Sequence, residues 1–282
     1  MNLLVILAAL GVGLFGIGNE PAALSANLMR RWRDSWLGRG QREGWASAIA
    51  LLFIVLVPAA LTAVVWLTLR GYWHGLLSEL LSFVALSLVL LDQRWPAIFQ
   101  RERDAWRESD NEHREAILHV DHATVTAAAD AEFTRVRRSL LATQLAELFS
   151  PLFWFILLGP IAAIAYYFLR LTAESESTTG QQALGVLRYA DWPVARVLAL
   201  SLALAGNFVA SWPPLRRDVF SRVSAVDLLD DCASAAQPES LPWSADSLPG
   251  ETLSQALLDI DALMRRALVI WIVALSLHVL WP

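Results

Sequence analysis

Long apolar runs constrain this chain more than any other feature. From Trp45 to Leu69, twenty-five residues pass without a charged side chain. A bilayer core is crossed by about 20 mostly apolar residues in a helix. Inside it no water meets the backbone amides, so such a run has to be helical. Five further runs follow the same rule: Leu3 to Ile17, Leu76 to Leu91, Phe149 to Leu169, Arg196 to Trp212 and Ala267 to Trp281. The runs predict an all-α, polytopic transmembrane helix bundle of about six spans with cytoplasmic helical segments. Composition agrees, since 56% of the residues are hydrophobic and only 17% charged. A soluble domain carries about 25% charged residues.

Arginine sets the orientation. All 22 basic residues are Arg, so neither a Schiff-base lysine nor a phosphate-loop lysine is available. Five Arg separate the first two runs, one separates the second and third, and eight separate the third and fourth. Only Arg188 lies between Leu171 and Ala195, and five Arg lie between the fifth and sixth runs. Rich and poor connections alternate, as the positive-inside rule requires, and both termini fall outside. The first run has its basic residues after it, so it reads as an uncleaved anchor. Trp45, Trp66, Trp73, Trp95, Trp192, Trp212 and Trp281 fall near the ends of runs, where indole prefers the headgroup level.

The organisation that follows is 1–92, three spans with an Arg-rich cytoplasmic loop; 93–148, a cytoplasmic helical segment; 149–212, spans four and five with a short outer loop; 213–266, a cytoplasmic polar segment; and 267–282, span six. Pro58 should kink the second span. Pro213-Pro214 should end the fifth. Thr124 to Leu148 has apolar residues at helical spacing, among them Phe133, Val136, Leu140 and Leu141, and should run nearly unbroken into span four. Asp227, Asp230 and Asp231 form an acidic cluster, and Gln237 to Gly250 reads as a loop. Leu253 to Leu263 reads as an amphipathic helix leading into span six. The lone Cys232 excludes an internal disulfide and any cysteine metal site. A net charge of −5 gives no reason to expect nucleic acid as a partner.

Candidate chemistry is sparse. Glu115, His119 and His122 share a helix face, either as metal ligands or as a solvated polar face. Asp191 and Arg196 flank Trp192 and Pro193 at the outer mouth of span five. An Arg at a span start must reach headgroups or meet a carboxylate. Two readings stay open: an anion or headgroup site in which Asp191 pairs with Arg196, and an interface anchor of Trp192 and Arg196. Glu147 enters span four, as a working carboxylate or as a solvated helix start. No nucleophile elbow, glycine-rich phosphate loop or zinc-protease signature is present.

Three phrases in order carry a resemblance: Ser150-Pro151-Leu152-Phe153-Trp154, Ala165-Tyr166-Tyr167-Phe168-Leu169-Arg170 and Asp191-Trp192-Pro193-Val194-Ala195-Arg196. Over roughly residues 132–212 the chain resembles the AmpE family, which is grouped with the cobalamin-biosynthesis membrane proteins CobD and CbiB. The CobD/CbiB enzymes carry an acidic E-N-x-x-D run where this chain has Ala142, Thr143 and Ala146. Their N-T-L-D run corresponds to Arg170, Leu171, Thr172 and Ala173. Nucleotide-assisted amide formation needs such carboxylates for metal and charge handling. The resemblance therefore implies the AmpE branch and points away from adenosylcobinamide-phosphate synthase activity. It implies a multi-pass protein of the bacterial inner membrane, a sensor or modulator linked to β-lactamase expression and cell-wall recycling. The partners implied are the lipid bilayer and a cell-wall-derived ligand or a second membrane protein, with no cofactor, metal or catalytic residue. The matched phrases add Trp154 and Arg170 to Asp191, Trp192, Arg196 and Glu147 as candidate binding residues.

Overall fold

The computed structural model describes residues 3–15, 19–37, 45–69, 76–116, 122–221, 223–237 and 249–280. The corner at Arg70–Trp73 and the loop at 238–248 lie outside the described residues, as do the side chains of Glu115, His119, His122 and His278. Among the described residues every regular element is a helix. They are α1 Leu3–Phe15, α2 Asn19–Leu37, α3 Trp45–Leu69, α4 Leu76–Leu91, α5 Trp95–Ala116, α6 His122–Gln144, α7 Ser150–Leu158, α8 Pro160–Ala173, α9 Thr178–Ala205, α10 Phe208–Asp218, α11 Ala225–Ala236 and α12 Pro249–Leu280. A π turn, Leu145–Phe149, joins α6 to α7.

Among the described residues three helical stretches are long and apolar enough to cross a membrane: Trp45–Leu69, Leu76–Trp106 and Asp130–Leu158. The first is the clearest. Only 22% of its most apolar stretch is buried, and Leu52, Phe53, Leu56, Leu61, Val64 and Leu67 are all exposed. A row of large apolar side chains this long on one helix marks a surface that meets something other than water. Pro58 sits inside α3, as predicted. One turn later, Thr62 Oγ1 donates to the Pro58 carbonyl at 2.8 Å.

Three predicted spans differ from the observed helices. The first run forms α1, thirteen residues long, short of the usual crossing length. The fourth run is two helices, because Gly159 adopts φ 82° and Pro160 begins a new helix. That φ lies in the left-handed region, which glycine enters without steric cost. The fifth run breaks at Gly206-Asn207, and Pro213-Pro214 lie inside α10 instead of ending a span. The break has a local cause. Asn207 N donates to the Ala236 carbonyl at 3.1 Å, and the Asn207 side chain caps α10 by accepting from Ala210 N. A Cβ on Gly206 would stand 2.7 Å from that carbonyl, so the close approach requires glycine.

Helices divide into two compact units. The first holds residues 1–93, 145–194 and 275–282. Here α3 and α4 pack on α8, α1 packs on α4, α7 packs on α8, and α2 packs on α3 and α8. Its core gathers Ile54, Ala85, Val89, Ile164, Tyr167, Phe168 and Leu171. The Arg-rich connection before α3 contains α2, whose Trp36 stacks on Phe53 at 5.1 Å between ring centroids.

Residues 94–144 and 195–274 make the second unit. There α6 packs against α5 and α11, and α10 packs against α11. Phe133, Val136, Leu140 and Leu141 are buried, as their spacing predicted. The acidic cluster faces arginines. Asp230 accepts from Arg137 Nε at 2.6 Å and from Arg138 Nε at 3.0 Å, Asp227 accepts from Arg138, and Asp231 accepts from Arg217. Buried Cys232 lies in the same helix, and burial together with nearby aspartates pushes its thiol up to about 12.

Candidate functional site

Glu147 is placed by the π turn. Pro151 has no N–H to offer the carbonyl four residues back, which is that of Glu147. The wider turn, with its i→i+5 bonds, is the local alternative, and such turns recur at functional sites. Glu147 is buried there, in the first unit.

Its ion partner comes from α8. Arg170 Nη1 stands 3.0 Å from Glu147 Oε1. Arg170 Nη2 donates to Asp92 Oδ2 at 3.2 Å, and the guanidinium lies 5.4 Å from the Tyr167 ring centroid. Asp92 follows the last residue of α4, where the helix stops. It also accepts from Tyr167 Oη at 2.8 Å and from Arg30 Nη2, on α2, at 3.2 Å. Five side chains from α2, α8, the π turn and the end of α4 thus form one network: Arg30, Asp92, Glu147, Tyr167 and Arg170. Arg33, also on α2, donates to the Leu171 carbonyl at 2.9 Å.

A second polar group sits one residue along α8. Asp191 Oδ1 accepts from Tyr166 Oη and from Ser150 Oγ, each at 2.7 Å. These three residues belong to α7, α8 and α9 within the same unit. Successive tyrosines on α8 therefore serve two carboxylates, Asp191 for Tyr166 and Asp92 for Tyr167.

Beside Tyr166 runs an apolar groove of about 290 Å³ between α3, α7, α8 and α9. Trp154 lines it. Its Nε1 is sealed from solvent and has no acceptor among the described residues.

Of the six candidate residues, Glu147 and Arg170 are brought together as an ion pair, and Asp191 and Trp154 flank the same helix. Trp192 is partly exposed on α9. Arg196 is buried in the second unit, where its guanidinium donates to the carbonyls of Val219, Ser221 and Val223. Of the two open readings, a pair of Asp191 with Arg196 is not what forms: the carboxylate takes two hydroxyls and the guanidinium takes backbone carbonyls. The phrase Asp191–Arg196 lies on one helix, α9, five residues apart. Neighbours on a helix surface are three or four residues apart.

Sequence reasoning missed Asp92, Arg30 and Ser150. Asp92 was legible as the carboxylate that stops an apolar run. Nothing in the pattern tied it to Arg170, seventy-eight positions later.

No protein-family model matches the chain, and no curated protein or solved structure matches it.

Proposed function

We propose that the chain is a multi-pass protein of the bacterial inner membrane acting as a sensor or regulatory modulator of the AmpE kind, linked to β-lactamase regulation and peptidoglycan-recycling signals. The observation that carries this reading over an enzymatic one is how the site's carboxylates are spent. Asp92 and Glu147 face arginines, and Asp191 faces two hydroxyls. Such a network ties α2, α4, α8 and the π turn into one setting. A device of this type changes state when a ligand favours another arrangement of the same helices. The long apolar helices support a multi-pass arrangement, in which the fourth and fifth runs double back at Gly159 and Gly206, since Glu147 meets Arg170 and Arg196 meets the carbonyls of Val219 and Ser221.

The test is genetic. In a strain lacking the native gene, the wild-type chain should restore inducible β-lactamase or tolerance of a cell-wall antibiotic. Glu147→Gln and Asp191→Asn should reach normal membrane levels and change the induced response. Restoration of cobinamide formation in a strain lacking that synthase would instead favour an enzyme of the CobD/CbiB kind. Wild-type induction in both variants would remove the network from the proposed signalling.

A further inference from the structure

We propose that the apolar groove of the first unit is a binding site for one hydrocarbon chain of a membrane lipid. The inference rests on the membrane placement of α3 and is independent of the regulatory reading.

Geometry comes first. Ala162 and Ala165, one turn apart on α8, form the floor, and Ala190 on α9 stands with them. These small side chains leave about 290 Å³ that the surrounding Leu52, Leu56, Trp154 and Val186 border without filling.

The chemistry of the walls selects the occupant. Tyr166 lines the groove, yet its hydroxyl is committed to Asp191 at 2.7 Å. Trp154 lines it too, with Nε1 sealed away. A water there would lack the two to four polar partners that hold buried water. A ligand carrying hydroxyl or amide groups would lose its hydrogen bonds on entry. Methylene and methyl groups lose nothing.

Continuity names the source. Leu52 and Leu56 line the groove and are also 53% and 55% exposed on the outer face of α3. Further along α3, Leu61 and Val64 are exposed as well. The groove is thus an inlet of the same apolar surface that marks α3 as a spanning helix. A lipid tail reaches it sideways from the bilayer core, its headgroup staying outside.

The experiment uses the purified full chain in vesicles of phosphatidylethanolamine and phosphatidylglycerol, part of it carrying a diazirine midway along one acyl chain. After irradiation, adducts are mapped by mass spectrometry. Adducts at Leu52, Trp154, Ala165 and Val186 should exceed those at Leu61, Val64 and Leu67 several-fold. Ala165→Phe and, separately, Ala190→Leu fill the groove. Each should remove the groove adducts and leave those on the outer face. Thermal unfolding in detergent identifies which variants fold, and the comparison is made on those. Equal adducts around α3 would mean ordinary annular lipid and overturn the proposal. So would groove adducts that persist in a folded, filled variant, or crosslinks there to a second polypeptide in place of lipid.

Discussion

Arg170 Nη1 lies 3.0 Å from Glu147 Oε1, with the two side chains only 5% and 1% exposed. Asp92 shares the same guanidinium from the other side at 3.2 Å. Breaking a buried pair by removing one partner costs about 3–5 kcal/mol, because the remaining charge is left uncompensated. Arg170→Ala takes the arginine from Glu147 and leaves Asp92 with Arg30 and the Tyr167 hydroxyl. It should lower the thermal midpoint in detergent and the amount recovered in membranes. Glu147→Gln leaves Arg170 with Asp92, so it should cost clearly less. Equal losses in both variants would separate Asp92 from the network.

Arg196 holds three carbonyls in the segment between α10 and α11. Arg196→Lys keeps the charge and loses the planar fork, so it should fail to restore the stability lost in Arg196→Ala. Swapping charges, Asp191→Arg with Arg196→Asp, should give no rescue. The cost of Asp191→Ala and Arg196→Ala together should equal the sum of the singles within about 0.5 kcal/mol, as for sites without shared partners. A coupling well above that in a double-mutant cycle of thermal stabilities would restore the direct pairing.

Gly206→Ala should destabilise the second unit by about 1–3 kcal/mol, the usual cost of forcing atoms into a packed contact. The added Cβ would lie 2.7 Å from the Ala236 carbonyl oxygen and 2.8 Å from its Cβ. Unchanged protease resistance of 195–274 in the variant would show that the approach relaxes freely.

Topology can be read with cysteines placed on exposed positions. In a Cys232→Ala background, Ser234→Cys should react with an impermeant maleimide in inverted vesicles only. Glu176→Cys, between α8 and α9, should react in inverted vesicles as well, since the Glu147–Arg170 pair holds the two ends of the Phe149–Leu169 run together. Both native residues are exposed, so access is decided by the side of the membrane. Labelling of the two from opposite faces would mean that the Phe149–Leu169 run crosses once, against the doubling back at Gly159.

Cys232 itself should be silent. It is fully buried, and its thiol is pushed from the ordinary 9.0 to about 12. The folded state therefore keeps its proton while the unfolded state releases it. Below pH 9 this group favours neither state, and stability falls as pH rises from about 9 toward 12. Thermal unfolding across that range should show a decline that Cys232→Ala lessens. Native protein should stay unlabelled at neutral pH and label fully once denatured.

The sequence made some elements plain and concealed others for physical reasons. α3 was legible to the residue, because a charge-free run of its length has one stable form in a membrane. The buried face of α6 followed from spacing alone. The turn at Gly159 was visible only as a Gly-Pro pair within an apolar run, where hydropathy sees no difference between one helix and two. Gly206 needed knowledge of α11, since its constraint is a contact thirty residues away. The site was half legible. A carboxylate beside an apolar run, such as Glu147, announces itself by its cost. Its arginine partner does not, because an Arg at a predicted span end reads equally well as an anchor. Arg30 and Arg33 entered the sequence reading only as a charge count for orientation, and the structure ties them to Asp92 and the Leu171 carbonyl.

The bridge from Arg137 to Asp230 spans 93 positions. At a synthesis rate of about 5–20 residues per second, the aspartate leaves the ribosome on the order of ten seconds after the arginines. During that interval Arg137 and Arg138 have yet to meet Asp230 and Asp227. Once α11 arrives, the same two charges are largely cancelled. The nascent chain thus carries at α6 a positive charge that the finished helix pair neutralises. Moving Asp227 and Asp230 ahead of α6 would change how the nascent chain is oriented without altering the net charge of the finished protein.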